Sequence, residues 1–550
     1  MTPLHADPNQ QEVIAFLGDR RTHGGEMVER IGTHAAMVFL AGDRALKLKR
    51  ALRYPYLDYS TVEKRRSACA AELAVNRRTA PGLYRGLAAV RRGADGALAL
   101  DFGTDGNGDG NGNDVHGEPV DWLVVMTRFP ADALLDRMAG GGALTPALAR
   151  RLAERIAGFH ARAAARPDGG GAAAMRTVAD GNIGELRASP ALFPPATVGR
   201  LARLTAAALD RHGPLLEERR RAGFVRHGHG DLHLRNIVLL DGEPTLFDAI
   251  EFDEALAVAD VFYDLAFLLM DLESRGLRRL ANVVLNRYLE ETDDHGGLAV
   301  LPLFLSMRAA VRAKVLAAAL VLDAGAKRDP GQGDAVKTAG AQEEARQEAR
   351  RYLDLALAVL EPEPARLVAV GGLSGAGKTR LAEGMAPGLG PAPGAVVLRS
   401  DVLRKRLCGV ADTDRLEEGG YSRAVTERVY DGLCRRAAVV LAAGQAAVVD
   451  AVSARPEERA GIAAVALAAG VRFDGFWLEA PLPARVTRVT DRRNDASDAT
   501  ADVAQRQETY DVGTIDWMRL DAGKAAADVL GDALAGLDRI QGRAARNRLA

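Results

Sequence analysis

The chain has 550 residues, 48% of them hydrophobic, with 72 Lys and Arg against 73 Asp and Glu and a formal charge of -1. That length and apolar content suit several globular domains with sizeable cores, and the balanced charge excludes a global field recruiting nucleic acid or anionic membrane. Three cysteines, Cys69, Cys408 and Cys434, are too few and too scattered for a disulfide framework or a zinc cluster, and are expected as reduced thiols.

The N-terminal run MTPLHADPNQQEVIAFLGD lacks both a basic n-region and an apolar h-region, and apolar stretches such as AAVVLAAGQAAVVDAV meet Gly, Gln and Asp before spanning length. A cytoplasmic protein without a membrane span is expected. Residues 35 to 50, AAMVFLAGDRALKLKR, read as a hairpin turning at Gly42-Asp43, with Ala45, Lys47 and Lys49 on one face. From Ser60 the spacing predicts a helix that Ala80-Pro81-Gly82 ends. Strands return at GLAAVRRG, GALALDF and DWLVVMTRF. Between the last two lies DFGTDGNGDGNGND. Its Asp101-Phe102-Gly103 stands 130 positions before Asp231 and is expected to carry no site chemistry. As a calcium loop counted from Asp105, the run has His116 where a bidentate Glu is needed, so a hairpin tip is expected instead.

From about Leu134 to Leu360 the pattern is mostly helical, broken by the strand-like island NIVLLDGEPTLFDAIEF. Strands with one helix, then helices around a small hairpin, predict a two-lobed α+β unit. Glu361-Pro362-Glu363-Pro364 reads as a linker, and beyond it ARLVAVGG, GAVVLRSD, AAVVDAV and RFDGFWLEA alternate with helical segments as in a parallel α/β sheet. The expected division is a small lobe over 1–130, a helical large lobe over 131–360, a linker over 361–366 and a parallel-sheet α/β domain over 367–550.

In HGHGDLHLRNIVLLDGEPTLFDAIEFD, Asp231 and Asn236 stand five apart, and a hairpin then returns Asp248. Phosphoryl transfer needs a carboxylate to accept the acceptor hydroxyl's proton and oxygen ligands to hold Mg²⁺ against the phosphates. The phrase H-G-D-L-H-x-x-N-I followed by a hairpin and Asp resembles the aminoglycoside phosphotransferase branch of the protein-kinase-like fold. That resemblance implies Asp231 as catalytic base, Asn236 and Asp248 as magnesium ligands, with Glu251 a further candidate, and a strand Lys paired to a helix Glu, here Lys47 and Glu72. Lys49 shares the strand face and rivals Lys47. Gly230 stands where protein kinases carry Arg, and RIGTHAAMV has no G-x-G-x-x-G, leaving Gly32, Thr33 and His34 as phosphate-loop donors. Arg308 and Arg312, four apart on one helix, are candidates for acceptor binding, or else are paired structurally with Asp260 and Asp264.

The second constellation is LVAVGGLSGAGKTRLAEGMA, a buried strand, then Gly372, Ser374, Gly375, Ala376, Gly377, Lys378, Thr379 and Arg380 leading into a helix. Successive backbone N–H groups cradle phosphates, Lys378 reaches the β/γ-phosphates, and Thr379 offers a Mg²⁺ ligand. Asp401, with Arg404 one turn later, and Asp450 fall at strand ends, Asp450 as a second metal ligand. Arg485, Arg488, Arg492 and Arg493 cluster where a lid would close. These features resemble the small P-loop kinases related to gluconate kinase and the kinase portion of polynucleotide kinases, including the lid phrase ASDA with a later Gln507. That resemblance implies Asp401 as the acceptor-activating base, where the alternative is a helix cap, and Arg492 or Arg493 as a transition-state clamp.

The whole chain, from TH-x-x-x-VFL-x-G-x-x-x-LKLKR through R-R-x-A-P to the lid, resembles the bacterial bifunctional aminoglycoside phosphotransferase/P-loop ATP-binding proteins. The expectation is an ATP- and Mg²⁺-dependent kinase with two nucleotide sites and a small-molecule hydroxyl as acceptor. Two alternatives stand beside it: an N-terminal pseudokinase that senses a ligand and regulates an active P-loop half, and nucleic-acid end phosphorylation by the C-terminal half, which the balanced charge disfavours.

Overall fold

The computed structural model describes residues 8–33, 35–54, 57–102, 117–325, 339–412, 414–491 and 496–549. The chain divides into two units that do not follow its order. The first comprises residues 1–271 and 307–353, the second residues 272–306 and 354–550.

The first unit begins with a six-stranded antiparallel sheet, in the order Val28–Gly32, Ala36–Ala41, Arg44–Lys49, Glu118–Thr127, Tyr84–Arg92 and Leu98–Asp101. The hairpin turning at Gly42-Asp43 pairs Val38 with Lys47 and Phe39 with Leu46. Strand alternation then sorts side chains by face. Phe39, Leu46 and Leu48 join Val13 and Leu17 of helix Pro8–Leu17 in one core, whereas Ala45 packs with Cys69, Tyr84 and Val124 in another, beside helix Val62–Asn76. Lys47 and Lys49 therefore point toward that helix. The edge strand Val28–Gly32 was not foreseen, because its burial pattern is almost wholly exposed and leaves no apolar alternation to read.

The large lobe is helical, with the two-stranded hairpin Ile237–Leu240 and Glu243–Leu246 carrying the chain from Asn236 to Asp248. A buried carboxylate, Asp260, anchors its interior. Arg219 grips Asp260 with Nε–Oδ2 2.7 Å and Nη2–Oδ1 2.9 Å, so Asp260 is not a partner of Arg308. Arg308 instead donates Nε to the Tyr263 carbonyl at 3.0 Å and stacks over the Tyr263 and Phe267 rings.

The second unit contains a five-stranded parallel sheet, in the order Val396–Arg399, Ala447–Asp450, Arg366–Gly372, Arg472–Glu479 and Met518–Asp521. Its core joins Val368, Val370, Val448, Phe476 and Leu520 of the sheet to Leu381 and Met385 of helix Lys378–Met385. The last strand, Met518–Asp521, was missed because only Leu520 of its four residues is buried.

At the opposite edge, helix Arg278–Thr292 covers strand Val396–Arg399. Asn286 Nδ2 donates to the Ala395 carbonyl at 3.2 Å while its Oδ1 accepts from Val397 N–H at 2.7 Å, so one carboxamide pairs with the strand as a neighbouring strand would. Buried Asn282 adds a bond to the same carbonyl at 3.0 Å. Asn286→Ala leaves the Val397 N–H without its partner, and the expected cost is about 1–3 kcal/mol, measured by denaturant unfolding.

Among the described residues no helix is long and apolar enough to cross a membrane. The residues 103–116 that make up most of the Gly/Asn run lie outside the description. Asp101 just before them bonds Arg91 Nε at 2.6 Å.

Candidate functional sites

In the first unit, Asp231 follows strand Val225–His227 and precedes the short turn Leu234–Asn236. Asn236 Nδ2 donates to Asp231 Oδ2 at 2.8 Å and to the Asp231 carbonyl at 3.0 Å, which closes the loop. The Asp231 side chain keeps 37% of its surface exposed, so the carboxylate faces the site. Burial works against its charge, but His233, His229 and Arg308 outweigh that penalty and hold the carboxyl well below its ordinary range. Gly230 has φ +80, and a Cβ there would stand 3.0 Å from Ile250, so the position takes glycine where protein kinases have Arg.

A residue the sequence reading assigned elsewhere organises this loop. Asp264, in the apolar helix Val261–Ser274, accepts from His229 N–H at 2.7 Å and Gly230 N–H at 2.9 Å, and its Oδ2 lies 3.2 Å from His160 Nε2. Asp271 of the same helix accepts from Leu234 N–H at 3.0 Å. The available signal was two acids placed on the buried side of VFYDLAFLLMDL, since ionised side chains are buried when paired.

Asp248 is held from the backbone. It takes φ +59, its N–H donates to Tyr84 OH at 3.2 Å, and the next N–H, of Ala249, donates to Asn76 Oδ1 at 2.8 Å. Lys47 Nζ reaches Glu72 Oε1 at 2.8 Å and Asp248 Oδ1 at 2.5 Å. Lys49 pairs with the other Glu72 oxygen and with Glu251, which also accepts from Tyr59 OH at 3.0 Å. Both rival lysines therefore share Glu72, and Lys47 is the one that touches Asp248. Thr33 spends its hydroxyl on Ala36, and His34 lies outside the described residues.

Burial alone would raise the Glu72 carboxyl, but Lys47 and Lys49 push it down to about 2 from 4.5. A depressed carboxyl stabilises the fold above its unfolded value and loses that contribution as pH falls through the folded value. Glu72→Gln is thus expected to be less stable than the parent at pH 6, with the difference shrinking as the solution is acidified below pH 4.5 toward 2, read by urea unfolding at each pH.

In the second unit, strand Arg366–Gly372 runs into the loop that ends at Gly377, the first cap of helix Lys378–Met385. Gly375 has φ +83, and a Cβ there would stand 2.6 Å from the Arg485 carbonyl. Ser374 N–H donates to Gln507 Oε1 at 2.7 Å, and Lys378 Nζ donates to the Leu373 carbonyl at 3.4 Å. Arg485 is buried against the Ser374 carbonyl and Glu508, and Arg488 bonds the Ala522 carbonyl at 2.8 Å with Gly375 and Ala376 carbonyls at 3.5 Å. Arg380 is exposed. Arg492 and Arg493 lie outside the described residues.

Thr379 Oγ1 donates to Asp450 Oδ2 at 2.6 Å, and burial pushes the Asp450 carboxyl up against the pull of Lys378 and Arg399. A buried carboxylate beside a hydroxyl is an oxygen-only pair of the kind Mg²⁺ prefers, and Asn236 with Asp248 is a similar hard-donor pair in the first unit. Asp401 lies in the first turn of helix Ser400–Cys408, which has no side-chain cap, and its charge acts on Tyr421.

A model of the Phosphotransferase enzyme family matches residues 87–301, and a model described as AAA domain matches residues 367–510. A Mycobacterium tuberculosis protein described as Uncharacterized protein Rv2004c is 31% identical over 493 residues, covering 88% of this chain and 90% of that protein. Among solved structures, a choline/ethanolamine kinase family protein from Mesorhizobium loti is 16% identical, covers 64% of this chain and 99% of its own, and has a TM-score of 0.35. The Mycobacterium tuberculosis APS kinase bound to AMPPNP and APS is 23% identical, covers 32% of this chain and 99% of its own, and has a TM-score of 0.24. Both halves are matched, and the relative is aligned across nearly the full chain; the protein belongs to the bacterial family that joins an aminoglycoside-phosphotransferase-like kinase domain to a P-loop ATP-binding kinase domain.

Proposed function

We propose that each half transfers the γ-phosphoryl group of ATP to a hydroxyl of a small molecule, a metabolite or an aminoglycoside-like compound, and that the protein works in the cytoplasm. The observation that carries this is the pairing of Asp231 with Asn236, at 2.8 Å, beside Asp248 and the Lys47–Glu72 pair. In the first half Asp231 orients the acceptor hydroxyl. Its low pKa keeps it ionised throughout the physiological range, and it takes the hydroxyl proton as the oxygen bonds to the γ-phosphorus and ADP departs. Glu72 holds Lys47 toward the phosphates, and Asp264 keeps the loop backbone rigid, so little reorganisation accompanies transfer.

In the second half the loop Gly372–Gly377 cradles the phosphates with its N–H groups, Lys378 adds positive charge, and Asp401 receives the acceptor's proton. Arg485, Arg488, Arg492 and Arg493 are assigned to the lid, the last two as clamp on the transferring group. Mg²⁺, held by Asn236 and Asp248 in one half and by Thr379 and Asp450 in the other, supplies charge neutralisation of the phosphates when bound. The test is to incubate the parent chain, Asp231→Asn and Lys378→Ala with ATP-Mg²⁺ and a panel of metabolites and antibiotics, following mass gains of one phosphoryl group. Transfer that neither substitution alters would overturn both site assignments.

A further inference from the structure

Helix Arg278–Thr292 falls within the phosphotransferase-family match, yet it packs against the P-loop sheet. Besides Asn282 and Asn286 on the strand edge, it sends a second group of contacts toward the segment that follows helix Ser400–Cys408. Arg287 Nη1 donates to Asp412 Oδ2 at 2.8 Å. Glu290 and Glu291, one turn along the same helix, hold the same guanidinium, so its orientation is set before it meets Asp412. Arg406 donates to the Glu290 carbonyl, and Arg436 grips Asp293 at 2.6 Å.

From Asp412 the contacts continue. Its carbonyl accepts from Lys405 Nζ at 2.8 Å, and that buried ammonium lies 3.1 Å from Asp498 Oδ1. Asp498, in the lid phrase, accepts through Oδ2 from Leu416 N–H at 3.0 Å and from Tyr421 OH at 2.9 Å. Arg404, one turn beyond Asp401, donates to the Gly420 carbonyl at 2.9 Å. Residues 409–412 and 414–422 are thus pinned by helix Arg278–Thr292 at Asp412 and by the lid phrase at Leu416 and Tyr421, with Lys405 touching both.

We propose that helix Arg278–Thr292 is a positioning element of the P-loop kinase, and that Arg287, through Asp412 and Lys405, sets the segment that borders Asp401 and the lid. The inference rests on reading Asp401 as the acceptor-side base. It places a working part of the P-loop kinase well outside the residues 367–510 that its family model recognises.

The full-length chain carrying Asp231→Asn, which leaves the P-loop half to report, is compared with and without Arg287→Met and Arg287→Lys. Met keeps the stem packing and removes the charge. Arg287→Met is expected to speed amide exchange over 409–422 about tenfold, the size of one partly buried charge-assisted hydrogen bond, and to slow Lys378-dependent ATP hydrolysis with the KM for ATP unchanged. Arg287→Lys is expected to restore most of both. Unchanged exchange over 409–422, or raised exchange with unchanged hydrolysis, overturns the proposal. So does exchange that rises equally in strand Val396–Arg399, which would mark Arg287 as fold support alone. If Lys378→Ala leaves ATP hydrolysis intact, the kinase reading of this half fails, and the exchange comparison still decides what Arg287 holds.

Discussion

Asp231→Asn is expected to lower transfer at the first site by about 10²- to 10⁴-fold, the usual contribution of a positioned general base. The substitution keeps the size of the side chain and removes its negative charge and proton-accepting capacity. The loop has reasons to survive it. Asn236 Nδ2 also bonds the Asp231 carbonyl at 3.0 Å, His233 N–H donates to that carbonyl at 3.0 Å, and Asp264 holds the two preceding N–H groups. The loss should therefore appear in turnover, with ATP binding close to the parent. Single-turnover transfer in a Lys378→Ala background isolates this site. A variant that retained parental turnover there would remove Asp231 from the mechanism.

Lys378→Ala carries the second large effect. Its ammonium lies against the Gly372–Gly377 loop, and removing one such pre-organised donor costs about 10²- to 10³-fold in rate. The fold keeps its support, because the Thr379–Asp450 contact and the core under helix Lys378–Met385 are made by other side chains. Measured in an Asp231→Asn background, ATP affinity and turnover should both fall, since the lysine meets the nucleotide in the ground state as well as in transit. Turnover that survived would show that the P-loop is not the catalytic nucleotide site of this half.

Much of both candidate sites is legible because their motifs are local. Asp231 to Asn236 is one loop, Asp248 follows a hairpin whose turn residues announce it, and the P-loop is a contiguous run in which glycines supply positive φ and the helix end supplies donors. The strand–helix pair Lys47 and Glu72 was legible as a pattern, but the choice between Lys47 and Lys49 was not. The two share one face of one strand, and which touches Asp248 depends on the depth at which the hairpin delivers that carboxylate.

By itself the sequence determined the class of protein: two kinase-type domains, each with a set of candidate site residues at the spacing that a loop or a strand end imposes. The tertiary structure alone decided the support. Asp264 reaches its loop from more than thirty positions away in the chain, Arg308 stacks on aromatic faces and bonds a carbonyl, and Asn286 pairs with a strand edge that is 111 residues distant. Such contacts leave no periodic trace, because each satisfies a buried polar group whose partner is fixed by packing and not by neighbours along the chain.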